Sequence, residues 1–453
     1  MAEPNKMETR PVLPLIISMS VPPLISMFMQ YSYNFVDCMF VSWISEEALT
    51  AVSLAFPITT LMIATSIGLG VGTNVLVANH LGRRQFDRAN QIAANAIILT
   101  AAMGALITCV VLAVIEPFFS AFAEDPVIYE YGMQYMRVCA FMEVSNMVHI
   151  CIQKIIQGTG NMLAPMGFQI AGVVLNYILD PVLIFGRGPF PAMGIRGAAV
   201  ATVAGYTFSM LLAFWVLLCT PQRVRLSPRA FRIDFHIFRD IFVFGFPSFV
   251  MNALGAAMTW FTNLFLAAWS MTAVAFFGAY FKLQQVVVMT LNGLVQGCIP
   301  VMSYNYGAGN KPRLQQALRY GTVIACLLTG ASIVLLWALP RQILTIFRAS
   351  DAMMAFGVPA VRIMSTSYVF AAIITMIASY MQSTKRVGYS LLMNALRQLV
   401  ILVPMMWLLS RFWGMDGIWW AFPVTETVTV VISWVIHKRH PVTMPRGPAG
   451  GGA

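Results

Sequence analysis

The sequence predicts an all-α polytopic membrane protein, with twelve transmembrane helices arranged in two pseudo-symmetric lobes of six. Three observations predict this fold: the composition, a succession of long apolar runs and an internal repeat. Of the 453 residues, 59% are hydrophobic and only 10% are charged, whereas about a quarter of the residues in a soluble domain are charged. A soluble protein is therefore excluded, and the chain is best divided into bilayer spans of about 20 residues each.

Twelve apolar runs of about 18 or more residues predict the spans. Clusters of polar, charged, Gly or Pro residues separate them. The predicted spans are 14–42, 48–79, 92–115, 127–153, 163–185, 197–219, 237–268, 273–306, 320–339, 352–382, 387–410 and 417–437.

The charges between the spans predict the orientation. The two termini and the alternate connections on their side carry nineteen Lys and Arg, and the opposite connections carry five. Because cytoplasmic loops are enriched in Lys and Arg, both termini are expected in the cytoplasm. The net charge of +11 is explained by this asymmetry, so we expect a bilayer and no nucleic acid as a partner.

An internal repeat divides the chain into two halves. Equivalent positions of the two halves are related by a constant difference in residue number. This difference, the long offset, makes Pro247 the equivalent of Pro22, and a slightly smaller difference, the short offset, makes Gly414 the equivalent of Gly194. Each offset spans an even number of helices, so the halves have the same orientation. Two lobes without a soluble domain favour alternating-access transport through the cleft between them. The predicted segments are an N-terminus (1–13), an N-terminal lobe (14–219), a cytoplasmic linker (220–236), a C-terminal lobe (237–437) and a flexible cytoplasmic tail (438–453).

Carboxylates within the spans are candidates for ion coupling, because a buried charge in a membrane is costly. Asp37, Glu143 and Asp180 lie deep in predicted spans. In the second half, Thr262 stands at the position equivalent to Asp37, and Met405 stands near the position equivalent to Asp180. The halves share an architecture but not these acids, so we expect the coupling chemistry in the N-terminal lobe.

Spacing groups further residues with these acids. Tyr33 precedes Asp37 by four residues, as Asn176 precedes Asp180, so each pair shares a helix face. Their oxygens, with a hydroxyl such as Thr202, are suited to a proton or to Na⁺. The residues do not choose between H⁺ and Na⁺.

The ordered motifs resemble those of the MATE (multidrug and toxic compound extrusion) transporters across nearly the whole chain. The resemblance implies an antiporter that exports lipophilic cations against an inward flow of H⁺ or Na⁺. Its DinF-like branch implies an ion site at Asp37, Asn176 and Asp180, surrounded by Tyr33 and Thr202. The motifs are Asp37, Gly68-x-Gly70-x-Gly72-Thr73-Asn74, Gln157-Gly158-x-Gly160-Asn161, Asn176-Tyr177-Ile178-Leu179-Asp180-Pro181 and Tyr304-Asn305-Tyr306-Gly307-Ala308-Gly309.

Four further polar residues are predicted to face a substrate cleft: Gln157, Glu143, Lys282 and Gln284. For Glu143 the alternative is a structural hydrogen bond to a neighbouring helix. For Lys282 and for Arg397 it is a structural ion pair or a side chain that extends to the interface.

The alternative function is a flippase for lipids or lipid-linked oligosaccharides, which would need a strongly cationic cavity. A membrane enzyme is not expected, because the five His are scattered and form no catalytic constellation. No cofactor is expected beyond the coupling ion. We expect a monomer, multi-pass in a bacterial inner membrane.

Overall fold

The computed structural model describes residues 5–123, 125–186, 190–226, 231–346 and 350–445, and its regular elements are all helices. The Gly-rich end of the predicted tail lies outside this range. A one-turn helix, α1 (Lys6–Thr9), precedes the long helices. Those of the first half are α2 (Val12–Ser42), α3 (Glu46–Gly82), α4 (Phe86–Phe122), α5 (Pro126–Gly158), α6 (Leu163–Phe185) and α7 (Ile195–Cys219).

The helices of the second half are more often interrupted. Predicted span 352–382 is broken at Thr366, whose N–H bonds three residues back to Ile363. Predicted span 387–410 contains a π-helical turn, closed by the Ile401 N–H on the Leu396 carbonyl. The elements are α8 (Phe235–Ala267), α9 (Met271–Gly307), α10 (Lys311–Ala338), α11 (Pro340–Ile346), α12 (Asp351–Ser365), α13 (Ser367–Ser383), α14 (Val387–Ala395), the π-turn (Leu396–Val400), α15 (Leu402–Trp413) and α16 (Met415–Arg439).

Eleven helical segments within the described ranges are long and apolar enough to cross a membrane. The twelfth predicted span, 127–153, corresponds to α5, which is as long as its neighbours but more polar. Glu143, Asn146, His149 and Gln153 are all buried on this helix. Because α5 packs against α3, α4 and α7, its polar side chains are shielded by protein.

The chain forms two compact units. The first unit is Ile25–Gly245, and the second unit combines Met1–Leu24 with Phe246–Ala453. These units differ from the predicted lobes in two short segments, 14–24 and 237–245. Each boundary lies inside a helix beside proline, at Pro22–Pro23 in α2 and at Pro247 in α8. Since proline removes a backbone hydrogen bond, the two parts of such a helix can pack in different surroundings.

Glycines explain why the beginnings of α2 and α8 pack where they do. In the first unit, Gly72 on α3 lies against Gly245 on α8, and a Cβ on Gly72 would be 2.8 Å from the Gly245 nitrogen. In the second unit, Gly297 on α9 lies against Ser20 on α2, and a Cβ there would be 2.8 Å from the Ser20 nitrogen. The long offset relates both partners of one contact to those of the other, so the repeat extends to the packing of the two units.

Polar contacts fix the segments that precede these helices. In the first unit, Arg88 forms an ion pair with Asp234 at 3.0 Å, immediately before α8. In the second unit, Arg313 donates to the carbonyls of Met7 at 3.0 Å and Arg10 at 2.7 Å, immediately before α2. The long offset also carries Arg88 onto Arg313. In each repeat, an arginine thus fixes the segment that precedes the helix.

Candidate functional site

A small cavity, with about 30 Å³ open to the centre of a water-sized sphere, lies within the first unit. It is bounded by side chains of α2, α5, α6 and α7. Most of its lining residues carry a polar side-chain group, and none of them is Lys or Arg. The lining residues are Gln30, Tyr33, His149, Gln169, Gly172, Val173, Asn176, Thr202, Gly205, Tyr206 and Ser209.

Two glycines bring α6 and α7 together beside the cavity. A Cβ on Gly172 would lie 2.7 Å from the Gly205 carbonyl oxygen, and a Cβ on Gly205 would lie 2.9 Å from the Gly172 carbonyl oxygen. Neither position has room for a side chain. This close contact places Asn176 of α6 and Thr202 of α7 in the same wall.

Two buried acids, Asp37 and Asp180, lie next to residues that line the cavity, although neither acid is among the lining residues. The hydroxyls of Tyr33 and Thr202 share a hydrogen bond of 2.9 Å, which joins α2 to α7. In the amide orientation that satisfies both of its polar atoms, Asn176 donates to Asp180 Oδ2 at 3.0 Å and accepts from the Thr202 N–H at 3.2 Å. Asp180 is fully buried and Asp37 is 7% exposed, and Asp37 Oδ1 has no hydrogen-bond partner among the described residues.

The structure brings the five predicted ion-coupling residues together. Tyr33, Asn176 and Thr202 line the cavity, Asp180 is bonded to Asn176, and Asp37 and Asp180 interact electrostatically. Two buried carboxylates repel each other unless a cation neutralises one of them. Binding of a proton or of a metal cation such as Na⁺ between groups from α2, α6 and α7 stays a prediction.

A chain of amide side chains also contributes to the cavity wall, and these residues were not predicted from the sequence. Gln153 donates to Gln169 at 2.9 Å, Gln169 donates to Gln30 at 2.7 Å, and Gln30 donates to the Tyr206 hydroxyl at 3.0 Å. The relay connects α5, α6, α2 and α7. The polar residues at helical spacing along α5 were the available signal.

His149 is a second residue that the sequence analysis set aside as unpaired. Its side chain is 3% exposed and lines the cavity. The ring lies edge-on to Phe168, with 5.5 Å between centroids. Within the described part of the chain, neither ring nitrogen has a hydrogen-bond partner. A buried polar group left unsatisfied costs about 1–3 kcal/mol, so a bound molecule that supplied a partner would be stabilised here.

The predicted substrate-cleft residues are not gathered at this cavity. Glu143 is buried and accepts hydrogen bonds from Ser66 at 3.0 Å and Asn146 at 3.3 Å. It therefore makes hydrogen bonds to neighbouring side chains, which was the predicted alternative to a contact with substrate. Gln157, near the end of α5, accepts from Lys154 at 3.0 Å. The helical rise between Glu143 and Gln157 places them roughly 21 Å apart.

The other two cleft residues belong to the second unit. Lys282 is exposed and Gln284 is half-buried. In the described ranges the buried Oε1 of Gln284 has no hydrogen-bond partner. Contact with a substrate stays a prediction for all four residues.

Gly172→Ala is expected to destabilise the protein, because the added methyl would overlap Ser209 and the backbone of Gly205. Overpacking of this kind costs about 1–3 kcal/mol. Gly167→Ala on the same helix is the matched control, since its Cβ would meet nothing within 4 Å and alanine favours the helix by about 0.8–1.0 kcal/mol over glycine. Thermal unfolding of both purified variants measures the difference. Equal melting temperatures would contradict the close packing of α6 on α7.

Comparisons with known proteins agree with this architecture. The MatE family model matches residues 22–182 and 247–408, and the long offset relates the starts of the two matches. The chain is 26% identical to a protein named "FAD transporter" from Shewanella oneidensis, over 95% of each chain. It is 22% identical to "Multidrug export protein MepA" from Staphylococcus saprophyticus, over 92% of this chain and 91% of that protein.

Solved structures show the same fold. One is an outward-facing multidrug resistance MATE family transporter of the MOP superfamily, 25% identical, with a TM-score of 0.87 over 95% of this chain and 98% of the other. Another is a MOP superfamily transporter from Pyrococcus furiosus, 24% identical, with a TM-score of 0.89 over 96% and 97% of the two chains. The predicted two-lobe, all-helical fold is confirmed.

Proposed function

The chain belongs to the MatE family of membrane transporters, and from this premise we propose that it exports lipophilic, mostly cationic compounds by alternating access. An inward flow of H⁺ or Na⁺ drives the export. Relatives named for multidrug export cover more than nine-tenths of the chain, which supports a small-molecule substrate. As a member of this family the protein is a multi-span transporter and not an enzyme.

The observation that carries the proposal is the pairing of two buried carboxylates with a polar cavity. Asp37 and Asp180 are buried next to lining residues of the cavity, and the lining contains no Lys or Arg. A cation that enters is attracted by the carboxylates and displaces the coupling ion, so each expels the other. This exclusion is the elementary requirement for antiport.

Several finer features belong to the same proposal. The acids lie in the first repeat, as the DinF-like branch implies, with Asn176 and Asp180 on one face of α6. The chain works as a monomer in a cell membrane, with both termini in the cytoplasm. A flippase for anionic lipid headgroups is less favoured, because the cavity wall offers no fixed positive charge.

Export of FAD is a second candidate. It is favoured by the 26% identity to the Shewanella oneidensis protein named "FAD transporter". FAD carries a negatively charged pyrophosphate, and the acids near the cavity repel an anion unless both are neutralised. The amide side chains of the cavity wall and His149 would form hydrogen bonds with the flavin ring of FAD more readily than they would neutralise its phosphates.

Proteoliposomes with separately imposed gradients test the function. We expect a pH gradient or a Na⁺ gradient, but not both equally, to drive movement of the lipophilic cation ethidium. FAD in place of ethidium tests the second candidate with the same vesicles. If neither gradient moves ethidium while FAD or a fluorescent phospholipid moves, multidrug export is wrong for this chain.

A further inference from the structure

The second repeat carries an ion pair where the first repeat has part of its cavity. The long offset carries Gly172 onto Arg397, and the short offset carries Tyr206 onto Glu426. Both first-repeat residues line the cavity. The glycine and the tyrosine of the first repeat thus correspond to an arginine and a glutamate, which have opposite charges, in the second repeat.

The pair is well formed and shielded from solvent. Arg397 donates to Glu426 Oε1 from Nε at 3.1 Å and from Nη2 at 2.9 Å, and Nη1 donates to the Thr375 hydroxyl at 2.9 Å. Its two side chains are only 16% and 13% exposed. Glu426 Oε2 has no partner within the described part of the chain. The guanidinium is therefore the cation that neutralises this carboxylate.

Local backbone geometry accompanies the pair. Arg397 belongs to the π-turn Leu396–Val400, the only π-turn in the described ranges. Single π-turns inside α-helices are rare and are frequently found at functional sites. The turn brings Arg397 to within hydrogen-bond distance of α13 and α16 at once, although no such arginine exists in the first repeat at this position.

Arginine is a permanent cation, because its guanidinium does not lose a proton in proteins. It is also tethered to the backbone and cannot leave. In the first repeat, by contrast, the acids near the cavity depend on a cation from solution.

We propose that Glu426 and Thr375 form a monovalent-cation site in the second repeat, which Arg397 occupies as a tethered cation in the resting protein. The carboxylate and hydroxyl oxygens are the ligands of that site, and the guanidinium takes the place of a free cation. Cation exchange is then confined to the first repeat, although the second repeat also has a buried acid. This consequence for coupling rests on the proposed antiport, whereas the site itself does not.

Chemical rescue tests the site without measuring transport. Arg397→Ala removes the tethered cation and leaves a carboxylate with room for guanidinium. We expect its melting temperature to fall below wild type and to rise by about 2–4 °C when guanidinium chloride is added at millimolar concentration. Urea, a neutral molecule of the same shape, is the matched control and should have no effect. Na⁺ at constant ionic strength tests whether a metal cation also binds.

A double variant assigns the effect to the carboxylate. Arg397→Ala/Glu426→Gln should recover part of the lost stability, because no unpaired charge remains, and it should not respond to guanidinium. The proposal is wrong if guanidinium does not stabilise Arg397→Ala, or if it stabilises the double variant equally. Should Arg397→Ala not fold, Arg397→Gln with the same additions gives the same decision. These melting temperatures report cation binding and not transport. The proposed site can therefore be disproved while ethidium export is observed, and it can be supported while export is not observed.

Discussion

Asp37→Asn is expected to abolish gradient-driven efflux and to leave a folded, membrane-inserted protein. The substitution keeps the shape of a buried side chain that has an unpartnered oxygen within the described residues, but it removes the charge that attracts the coupling ion. If the carboxylate contributes ~3 kcal/mol to coupling, the rate should fall by about 100-fold or more. The measurement is ethidium efflux from proteoliposomes under the driving gradient, with equal protein in the vesicles.

Thr262→Ala is the matched control for this prediction, because the long offset places Thr262 at the position of Asp37 in the second repeat. Its hydroxyl donates to the Met258 carbonyl at 2.8 Å and lies 3.8 Å from the Met406 sulfur. Losing these local contacts should change the efflux rate by about twofold or less. An equal loss in both variants would mean that the ion site extends into the second repeat, and retained efflux in Asp37→Asn would remove Asp37 from the mechanism.

Asp180→Asn is expected to cause a comparable loss, and its effect should not add to that of Asp37→Asn. The two carboxylates interact electrostatically, and Asn176 connects Asp180 to the same wall of the cavity. When residues bind one ion together, removing either of them already destroys the site. The double variant should therefore transport at about the rate of the slower single variant. Asn176→Ala should fall into the same group.

The losses in transport rate, expressed as free energies, show whether the two carboxylates form one site. Efflux rates of the two single variants and the double variant are converted to free energies and compared. If the loss in the double variant equals the sum of the single losses, the carboxylates act independently and a shared site is wrong. The same assays distinguish the ion: a proton site loses activity when both sides of the membrane are alkaline, whereas a Na⁺ site makes the stability of the apo protein depend on Na⁺.

Much of the fold follows from local properties of the chain. Apolar runs of sufficient length must become helices in a bilayer, because only a helix satisfies its own backbone there. The spans, their approximate ends and the internal repeat could therefore be predicted. The grouping of Asn176 with Asp180 was also predictable, since residues four apart share a helix face. The interruptions at Thr366 and at Leu396–Val400 were missed, because an apolar run gives no sign of where the hydrogen bonding of its helix changes.

The tertiary structure decided which helix faces meet. Tyr33 and Thr202 are distant in the sequence, and their hydrogen bond joins α2 to α7. The close approach at Gly172 and Gly205 joins α6 to α7 in the same way. His149 was not predicted as a site residue, because the five His are scattered in the sequence and helical spacing does not reveal what a neighbouring helix offers. The boundaries of the compact units, inside α2 and α8, depend likewise on glycine contacts between distant segments. Local periodicity determines the face on which a residue lies, but the partner across that face is set by long-range packing.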